Sequence, residues 1–254
     1  MEGVSMLRCA VIIPALNPPE SLVEYVRTLL ARGVARVIVV NDGSDASTGD
    51  IFRQLSRLDR CTVLSHPVNQ GKGRALKTAF AYVLQEAADL TGVVTADADG
   101  QHHPDDVCRV VSALRRGDDT LILGVRDFDQ AHVPWRSRFG NRLTSRAIRW
   151  LFGMAIDDTQ TGLRGIPIQH LSWMSELKGE RFEYEMNMLL NAIRRRIPIR
   201  QVPIRTLYYQ RNAGSHYRSI ADSLRIFVQI VLDLVVSVRR GDEALWSERG
   251  RKRT

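Results

Sequence analysis

The chain has 254 residues, of which 44% are hydrophobic and 25% are charged, and its formal net charge is +8. This composition is typical of folded globular proteins and excludes disordered and fibrous classes. The three cysteines lie far apart without a CxxC pair, which argues against a disulfide scaffold or a zinc ribbon and favours a reducing compartment. We expect no secretory signal. We also expect no conventional membrane span, because no run of about 18 apolar residues occurs.

The positive charge is concentrated in the C-terminal quarter of the chain. Residues 194–254 carry 14 Arg and Lys residues against 5 Asp and Glu residues, whereas the remaining residues are close to neutral. This asymmetry predicts that one side of the protein faces an anionic surface or substrate.

Short apolar runs alternate with longer amphipathic segments over the first 125 residues. The runs predict strands at Ala10–Pro14, Val37–Val40, Thr62–Leu64, Val93–Ala96 and Leu121–Val125. The segments between them predict helices at Glu20–Arg32, Asp50–Leu58, Arg74–Ala88 and Pro104–Arg115. Strand–helix alternation of this kind predicts an α/β domain with a parallel sheet covered by helices on both faces.

Two common nucleotide-binding motifs are absent. The first predicted strand is followed by Ala15-Leu16-Asn17-Pro18-Pro19 instead of a GxGxxG motif, so a dinucleotide site of the Rossmann type is excluded. The sequence Gly71-Lys72-Gly73-Arg74 lacks the spacing of a Walker loop.

The residues that follow each strand are the candidates for ligand contact, because ligands bind beyond the carboxyl ends of parallel strands. Asp97 and Asp99 lie two residues apart, so in an extended chain their carboxylates point the same way, and Gln101 extends the series. Together they predict a site for Mg²⁺ or Mn²⁺ that bridges two phosphates. The alternative is that Asp-Ala-Asp-Gly is only a turn after a strand.

Two further strand ends carry candidate nucleotide contacts. Asp42 could accept an N–H group from a nucleobase between apolar walls at Val40 and Pro14, or it could be a capping or turn residue. The segment Asn69–Arg74 could hold phosphate with backbone N–H groups, or it could be a glycine loop that allows a tight turn.

Two amphipathic helices are predicted after residue 125. In residues 135–151, four arginines share one face and four apolar side chains the neighbouring face: Arg138, Arg142, Arg146 and Arg149, and Phe139, Leu143, Ala147 and Trp150. Such a helix can lie on an anionic bilayer or bind phosphate, or it can be a solvated face. Residues 222–238 predict an apolar helix with a narrow polar stripe, which either packs into the body of the protein or lies in a membrane interface. The basic residues after this helix could contact anionic headgroups.

Several segments together carry a resemblance to a known family. In chain order they read VIIPAL, VVNDGSD, NQGKGRALKTAF, TADADGQHHPDD, LGVR, DTQTGLRG, RFEYEMNMLL, VPI and SHYRSIADSLRIF. Over about residues 8–228 the chain resembles the family 2 glycosyltransferases, most closely the polyprenyl-phosphate sugar transferases of the dolichol-phosphate mannosyltransferase group.

The resemblance implies a fold and a domain organisation. The expected fold is GT-A, a Rossmann-like and mostly parallel sheet flanked by helices, with a C-terminal amphipathic helix. We expect the GT-A domain at residues 1–208, a closing segment with the amphipathic helix at 209–240, and a basic tail at 241–254.

The resemblance also implies site residues. Donor-binding residues are expected at Pro14, Ala15, Leu16, Val40, Asp42, Asp97, Ala98, Arg126, Arg181 and Arg211. The metal, Mg²⁺ or Mn²⁺, is expected at Asp97, Asp99 and Gln101. Acceptor contacts are expected at Asp158, Gln160, Thr161, Ser215 and His216, and catalytic roles at Asp99, Arg126 and Arg138.

The implied reaction moves a hexose from a nucleotide sugar of the UDP-glucose or GDP-mannose type to a polyprenyl phosphate, with inversion at the anomeric carbon. A phosphate is already largely ionised at neutral pH, so we assign no general base. The expected setting is cytoplasmic and peripheral, on the inner face of the membrane. Expected partners are an anionic membrane surface and, as a further candidate, a separate membrane protein; no nucleic acid is expected. The alternatives are a transferase that acts on a saccharide hydroxyl, with a base such as Asp158, and a non-catalytic membrane-binding relative.

The chain departs from the family pattern at two positions. Asn17 is followed by Pro18 where an Asn-Glu pair is usual, and Asn41 stands where an Asp is usual. Both departures concern the expected nucleobase side of the site.

Overall fold

A computed structural model of the chain describes residues 8–87, 89–130, 133 and 135–205, apart from the side chain of Arg136. The predicted closing segment with its amphipathic helix and the basic tail therefore lie outside the described residues, as do the expected site residues Arg211, Ser215 and His216.

The described residues form seven strands and seven helices. The strands are β1 (Cys9–Ala15), β2 (Arg36–Asp42), β3 (Cys61–His66), β4 (Gly92–Thr95), β5 (Leu121–Arg126), β6 (Arg164–Pro167) and β7 (Ile199–Ile204). The helices are α1 (Ser21–Ala31), α2 (Gly49–Ser56), α3 (Lys72–Glu86), α4 (Pro104–Ala113), α5 (Trp135–Phe152), α6 (Leu171–Ser175) and α7 (Glu183–Arg194). All nine elements predicted over the first 125 residues are confirmed, and so is the helix predicted at 135–151.

The strands form one mixed sheet in the order β3-β2-β1-β4-β6-β5-β7. Strand β6 runs antiparallel to both of its neighbours, and the other pairs are parallel. The chain passes from β1 to β2 and β3 on one side, and then returns to place β4 on the other side of β1. The strand order therefore reverses between β1 and β4, which is where open α/β sheets bind ligands.

Both faces of the sheet are buried, which explains why the strands read as continuous apolar runs. In β1, Ala10 and Ile12 pack into one core, and Val11 and Ile13 pack into the other. Helices α3, α5, α6 and α7 cover the first face, and α1, α2 and α4 cover the second. The loops at the carboxyl edge are thus mounted on a rigid scaffold. Among the described helices, none is both long and apolar enough to cross a bilayer.

Candidate active site

The loop after β4 carries the two predicted metal ligands at the carboxyl edge of the sheet. Asp97 and Asp99 are both partly exposed there. The backbone N–H of Gln101 donates to Oδ1 of Asp99 over 3.0 Å, and the N–H of Asp97 donates to Nδ1 of His102 over 3.1 Å. His103 then accepts from the N–H of Asp105 at the start of α4. The loop is therefore held between a buried strand and a capped helix.

Lys72, at the first position of α3, joins this loop to α7. Its Nζ lies 2.6 Å from Oδ1 of Asp97 and 2.9 Å from Oε2 of Glu185. Burial lowers the pKa of Lys72, but the two carboxylates outweigh that effect and raise it. The ammonium group is therefore a fixed positive charge between two acidic side chains.

The environment separates the pKa values of the two loop carboxylates. Burial alone raises the pKa of Asp97, but Lys72 and, more weakly, His102 and Arg126 hold the pKa below its usual range. Burial and the charge of Asp97 raise the pKa of Asp99 to about 6. Asp97 is thus an ionised carboxylate paired within the protein, whereas Asp99 carries a charge that the metal-free protein does not compensate.

Arg126, the last residue of β5, is fixed by a buried carboxylate. Its Nε and Nη2 lie 2.7 and 3.2 Å from the two oxygens of Asp158, which has no solvent exposure. The backbone N–H groups of Arg126 and Gln160 donate to the same carboxylate. Both oxygens of Asp158 are therefore engaged, and the guanidinium of Arg126 is held in one orientation.

The segment that contains Asp158, Gln160 and Thr161 lies against the loop after β4. A Cβ atom on Gly162 would lie 2.6 Å from Oδ2 of Asp97, so only glycine allows this approach. The buried Arg164 donates through Nε to the carbonyl of Thr161 over 2.9 Å, and through Nη1 to the carbonyl of Glu185 in a short contact. Arg164 therefore joins the expected acceptor segment to the start of α7.

The expected nucleobase contact Asp42 is engaged within the protein. It is 3% exposed, and its oxygens accept from the backbone N–H groups of Gln70 and Gly71 over 2.9 and 2.8 Å. Nδ1 of His66 lies 2.7 Å from its Oδ1. The amides of Gln70 and Gly71 therefore point at Asp42, which favours the tight-turn interpretation of the glycine loop over the phosphate interpretation. A role for Asp42 toward a nucleobase stays a prediction.

The other expected donor contacts lie near the ends of β1, β2 and β4. Pro14 and Val40 are neighbours in register on adjacent strands. Of this set, Val40 and Ala15 are buried, whereas Pro14, Leu16 and Ala98 are partly exposed. Arg181 is exposed on the loop before α7, and its Cγ lies beside Gly71. The described members of the expected nucleotide-sugar site therefore lie along one edge of the sheet.

The two departures from the family pattern lie in one hydrogen-bonded loop pair. The side chain of Asn17 donates to Asp45 over 2.8 Å and accepts from the backbone N–H of Asp45 over 2.8 Å. Asn41 accepts from the N–H of Ser44, whose hydroxyl in turn accepts from the N–H of Asn17. These amides therefore stabilise the loops after β1 and β2.

Helix α5 packs its polar inner face against the acceptor segment. Asn141 donates to the carbonyl of Asp157 over 2.5 Å, and the hydroxyls of Thr144 and Thr159 lie 2.6 Å apart. Arg138 donates through Nη2 to the carbonyl of Gln130 over 3.0 Å. Its Nε is buried and finds no acceptor among the described residues. A donor group that can bind an anion is therefore available in the first turn of α5.

The structure thus brings together most of the predicted site residues that it describes, and it adds three others. Asp97, Asp99 and Gln101 share one loop, Gly162 lies against Asp97, and Arg126 is paired with Asp158. Lys72, Glu185 and Arg164 are not among the site residues that the sequence predicts. Lys72 is part of the glycine loop, and Glu185 and Arg164 lie in the family-like segments RFEYEMNMLL and DTQTGLRG, but their spacing gives neither of them a role in the site.

The oxygen atoms of the loop after β4 fit a divalent cation that also binds a substrate. Within the described ranges, no group of three or more His, Cys, Asp or Glu side chains is arranged to hold a metal by itself. Asp99 and Gln101 offer oxygen atoms on a partly exposed loop, with Asp97 beside them. Mg²⁺ is commonly bound by one or two carboxylates together with substrate phosphates, which is what this loop can offer.

The mostly parallel sheet with its flanking helices is a GT-A fold. The fold resembles that of glucosyl-3-phosphoglycerate synthase from Mycobacterium tuberculosis, solved in complex with Mn²⁺ and UDP-glucose, with a TM-score of 0.65 and 19% identity over 87% of this chain and 78% of that one. The chain belongs to glycosyl transferase family 2, whose model matches residues 10–175. The expectation of a GT-A fold and of family 2 membership is confirmed.

Relatives with named activities cover most of the chain. A UDP-N-acetylglucosamine–dolichyl-phosphate N-acetylglucosaminyltransferase of Methanococcus voltae is 29% identical over 78% of this chain and 84% of its own length. A polyprenol monophosphomannose synthase of Mycolicibacterium smegmatis is 29% identical over 83% of each chain. An undecaprenyl-phosphate mannosyltransferase of Micrococcus luteus is 28% identical over 94% of this chain and 96% of its own.

The raised pKa of Asp99 predicts that Asp99→Asn stabilises the metal-free protein at neutral pH. Below about pH 4 the carboxyl group is protonated in the folded and unfolded states alike. As the pH rises from about 4 to about 6, the unfolded state releases this proton more readily than the folded state does. The free energy of unfolding therefore decreases over this range. We expect the variant to be more stable by on the order of 2 kcal/mol near pH 7.5, with the gain shrinking toward pH 4.

Urea unfolding with a metal chelator at several pH values measures this difference. Asp59→Asn, at an exposed position, is the matched control and should change stability little at any pH. A loss of stability in Asp99→Asn near pH 7.5 would contradict the assignment of uncompensated charge to Asp99.

Proposed function

We propose that the protein transfers a hexose from a nucleoside-diphosphate sugar to a polyprenyl phosphate at the cytoplasmic face of the membrane. The observation that carries the proposal is the pair formed by Arg126 and the buried Asp158 beside the Asp97–Asp99 loop. It combines a carboxylate loop suited to a metal–diphosphate with an arginine whose orientation is fixed. The names of the three relatives, each a transferase or synthase that acts on a polyprenol or its phosphate, support the same acceptor class.

On the donor side, Asp99 and Gln101 would hold a Mg²⁺ or Mn²⁺ ion together with the diphosphate, with Asp97 beside them. The ion would offset the negative charge of the leaving nucleotide. Arg126 contributes a positive charge near the same loop, and its partner Asp158 prevents it from reorienting. This is electrostatic stabilisation by groups that are in position before the substrate arrives.

On the acceptor side, the protein has to orient an anion. An oxygen of the acceptor phosphate attacks the anomeric carbon as the bond from that carbon to the diphosphate breaks, and the electron pair leaves with the nucleoside diphosphate. In-line attack inverts the anomeric configuration. The buried Nε of Arg138, for which the described residues offer no acceptor, is suited to bind that phosphate.

The rival proposal, transfer to a saccharide hydroxyl, needs a carboxylate that can take a proton. Asp158 is the candidate on the acceptor side, but its two oxygens accept from Arg126 and from two backbone N–H groups. Both oxygens of this carboxylate are thus engaged by donors of the protein itself. The geometry therefore favours an acceptor that is already ionised.

Contact with an anionic membrane is proposed through the outer face of α5. Trp135, Phe139 and Trp150 are 65%, 57% and 73% exposed on this helix. A groove of about 250 Å³ there is lined by both aromatic and basic side chains: Trp135, Arg138, Phe139, Arg142, Leu143 and Arg146. Interleaved aromatic rings and arginines suit the interface of an anionic bilayer. They also suit a lipid that has an apolar chain and a phosphate head.

The reaction is tested by release of nucleoside diphosphate from a panel of UDP- and GDP-sugars, with and without Mn²⁺ and a short polyprenyl phosphate. We expect release with one donor to require both the metal and the lipid. Asp99→Ala should reduce the rate by at least about 100-fold, because one ligand of the metal–diphosphate is lost. Asp59→Ala is the matched control and should retain the wild-type rate.

Release that depends on metal but not on lipid would contradict the polyprenyl-phosphate acceptor and would favour the saccharide-hydroxyl alternative. An absence of release with every donor would favour a non-catalytic relative.

The membrane proposal is tested by flotation of the full chain with vesicles of zwitterionic lipid, with and without about a third of an anionic phospholipid. We expect binding to anionic vesicles only, because the arginines contribute roughly 1 kcal/mol each near such a surface. Substitution of Trp135 and Trp150 by Ser should release the protein by removing the aromatic anchors. Val68→Ser is the matched control, since Val68 is 64% exposed but lies outside α5; equal release by that variant would contradict the assignment to α5.

A further inference from the structure

Glu180, in the segment directly before α7, clamps that segment onto the start of α3. Its Oε1 accepts from Nη2 of Arg74 over 2.9 Å, and its Oε2 lies 2.8 Å from Nε of the same guanidinium. Nζ of the buried Lys77 donates to Oε1 over 3.0 Å. The main-chain carbonyl of Glu180 also accepts from the N–H of Arg74 over 3.0 Å. Side chain and main chain of one residue therefore bind the same helix, and charge-assisted contacts fix its position.

The next residue, Arg181, is held at its main chain and at its stem. Its N–H and that of Glu180 donate to Oε1 of Glu183, in the first turn of α7, over 3.2 and 3.0 Å. A Cβ atom on Gly71 would lie 2.8 Å from Cγ of Arg181, so a glycine is needed for the arginine stem to pack there. The base of Arg181 is therefore fixed against both α3 and α7.

The guanidinium of Arg181, in contrast, is left for a ligand. The residue is exposed, and within the described ranges its guanidinium forms no ion pair. Gly71 precedes Lys72, whose ammonium group is paired with Asp97, so the stem of Arg181 packs one residue away from the crevice. An exposed guanidinium with a fixed base suits an anion at the edge of that crevice, and the diphosphate of the donor is the anion that the proposed reaction brings there.

We propose that Glu180 is a positioning residue for the donor: by clamping the segment before α7 onto α3, it holds Arg181 where its guanidinium meets the diphosphate. The inference rests on the proposed function, since it requires a nucleotide sugar bound at the Asp97–Asp99 loop. Glu180 does not touch the substrate, and its effect passes through Arg181. A side chain whose base is held before binding loses less conformational freedom on binding, so the clamp contributes to affinity for the donor.

The test measures the affinity of the full chain for UDP and for GDP with Mn²⁺ by calorimetry, together with KM and kcat for the preferred donor. Glu180→Gln keeps the size of the residue and its main-chain contacts but removes the charge that pairs with Arg74. We expect the affinity for the preferred nucleotide to fall by about 5- to 10-fold and the donor KM to rise by a similar factor. We expect kcat to change little, because a contact of equal strength in the ground and transition states affects KM alone.

A second clamp variant and a double variant separate positioning from a general structural role. Arg74→Gln removes the same ion pair from the side of α3 and should act in the same direction, even if Glu180→Gln folds poorly. If Glu180 acts through Arg181, Glu180→Gln should cause no further loss of affinity in an Arg181→Ala background. Glu176→Gln is the matched control, because Glu176 is exposed on the same connection between α6 and α7. It should keep the wild-type affinity.

Two results would overturn this inference alone, in a wild type that binds one of the nucleotides. One is unchanged affinity in both Glu180→Gln and Arg74→Gln, and the other is a double variant in which the two losses of affinity multiply. A wild type that binds neither nucleotide and releases none from any donor would overturn the proposed function, and this inference with it.

Discussion

The site depends on one partly buried ammonium group. Lys72 lies between Asp97 and Glu185, and so it joins the start of α3 to the end of β4 and the start of α7. Without this charge, the two carboxylates would repel each other in a partly buried crevice. Removal of one partner from a buried ion pair costs about 3–5 kcal/mol. With it, Asp97 stays ionised, and the neighbouring carboxylate of Asp99 carries the uncompensated charge. The distribution of charge over the whole crevice follows from this arrangement.

Charged groups of both signs line the crevice, on opposite sides. Negative side chains on the loop after β4 are suited to a metal–diphosphate, while the cationic groups on the other side are each held in place by the protein. Arg126 is fixed by Asp158, and Arg164 is fixed by main-chain carbonyls. In the proposed reaction the acceptor is already an anion, so this chemistry needs orientation and charge compensation more than it needs a base.

Much of the scaffold was predictable from sequence, and part of the site was not. Strands such as β1 and β2 are apolar on both faces, so their burial follows from pattern alone. Strand β6 was not predicted, because its four residues include Gly165 and Pro167 and give no strand signal. The Asp97–Asp99 pair was predictable from its spacing of two residues. The contacts of Lys72 with Glu185, and of Asp42 with the glycine loop, join residues far apart in sequence, so only the tertiary fold determines them.

Transfer of a hexose to a lipid phosphate yields a glycosylated lipid, and detection of that lipid is the direct test of the proposed reaction. Full-length protein is incubated with a donor labelled in the sugar, Mn²⁺ and a short polyprenyl phosphate, and the organic phase is examined by mass spectrometry. We expect one new species with the mass of the polyprenyl phosphate plus one hexosyl group, which mild acid cleaves to release the labelled sugar. Recovery of the label only as free hexose or as an oligosaccharide in the aqueous phase would contradict it.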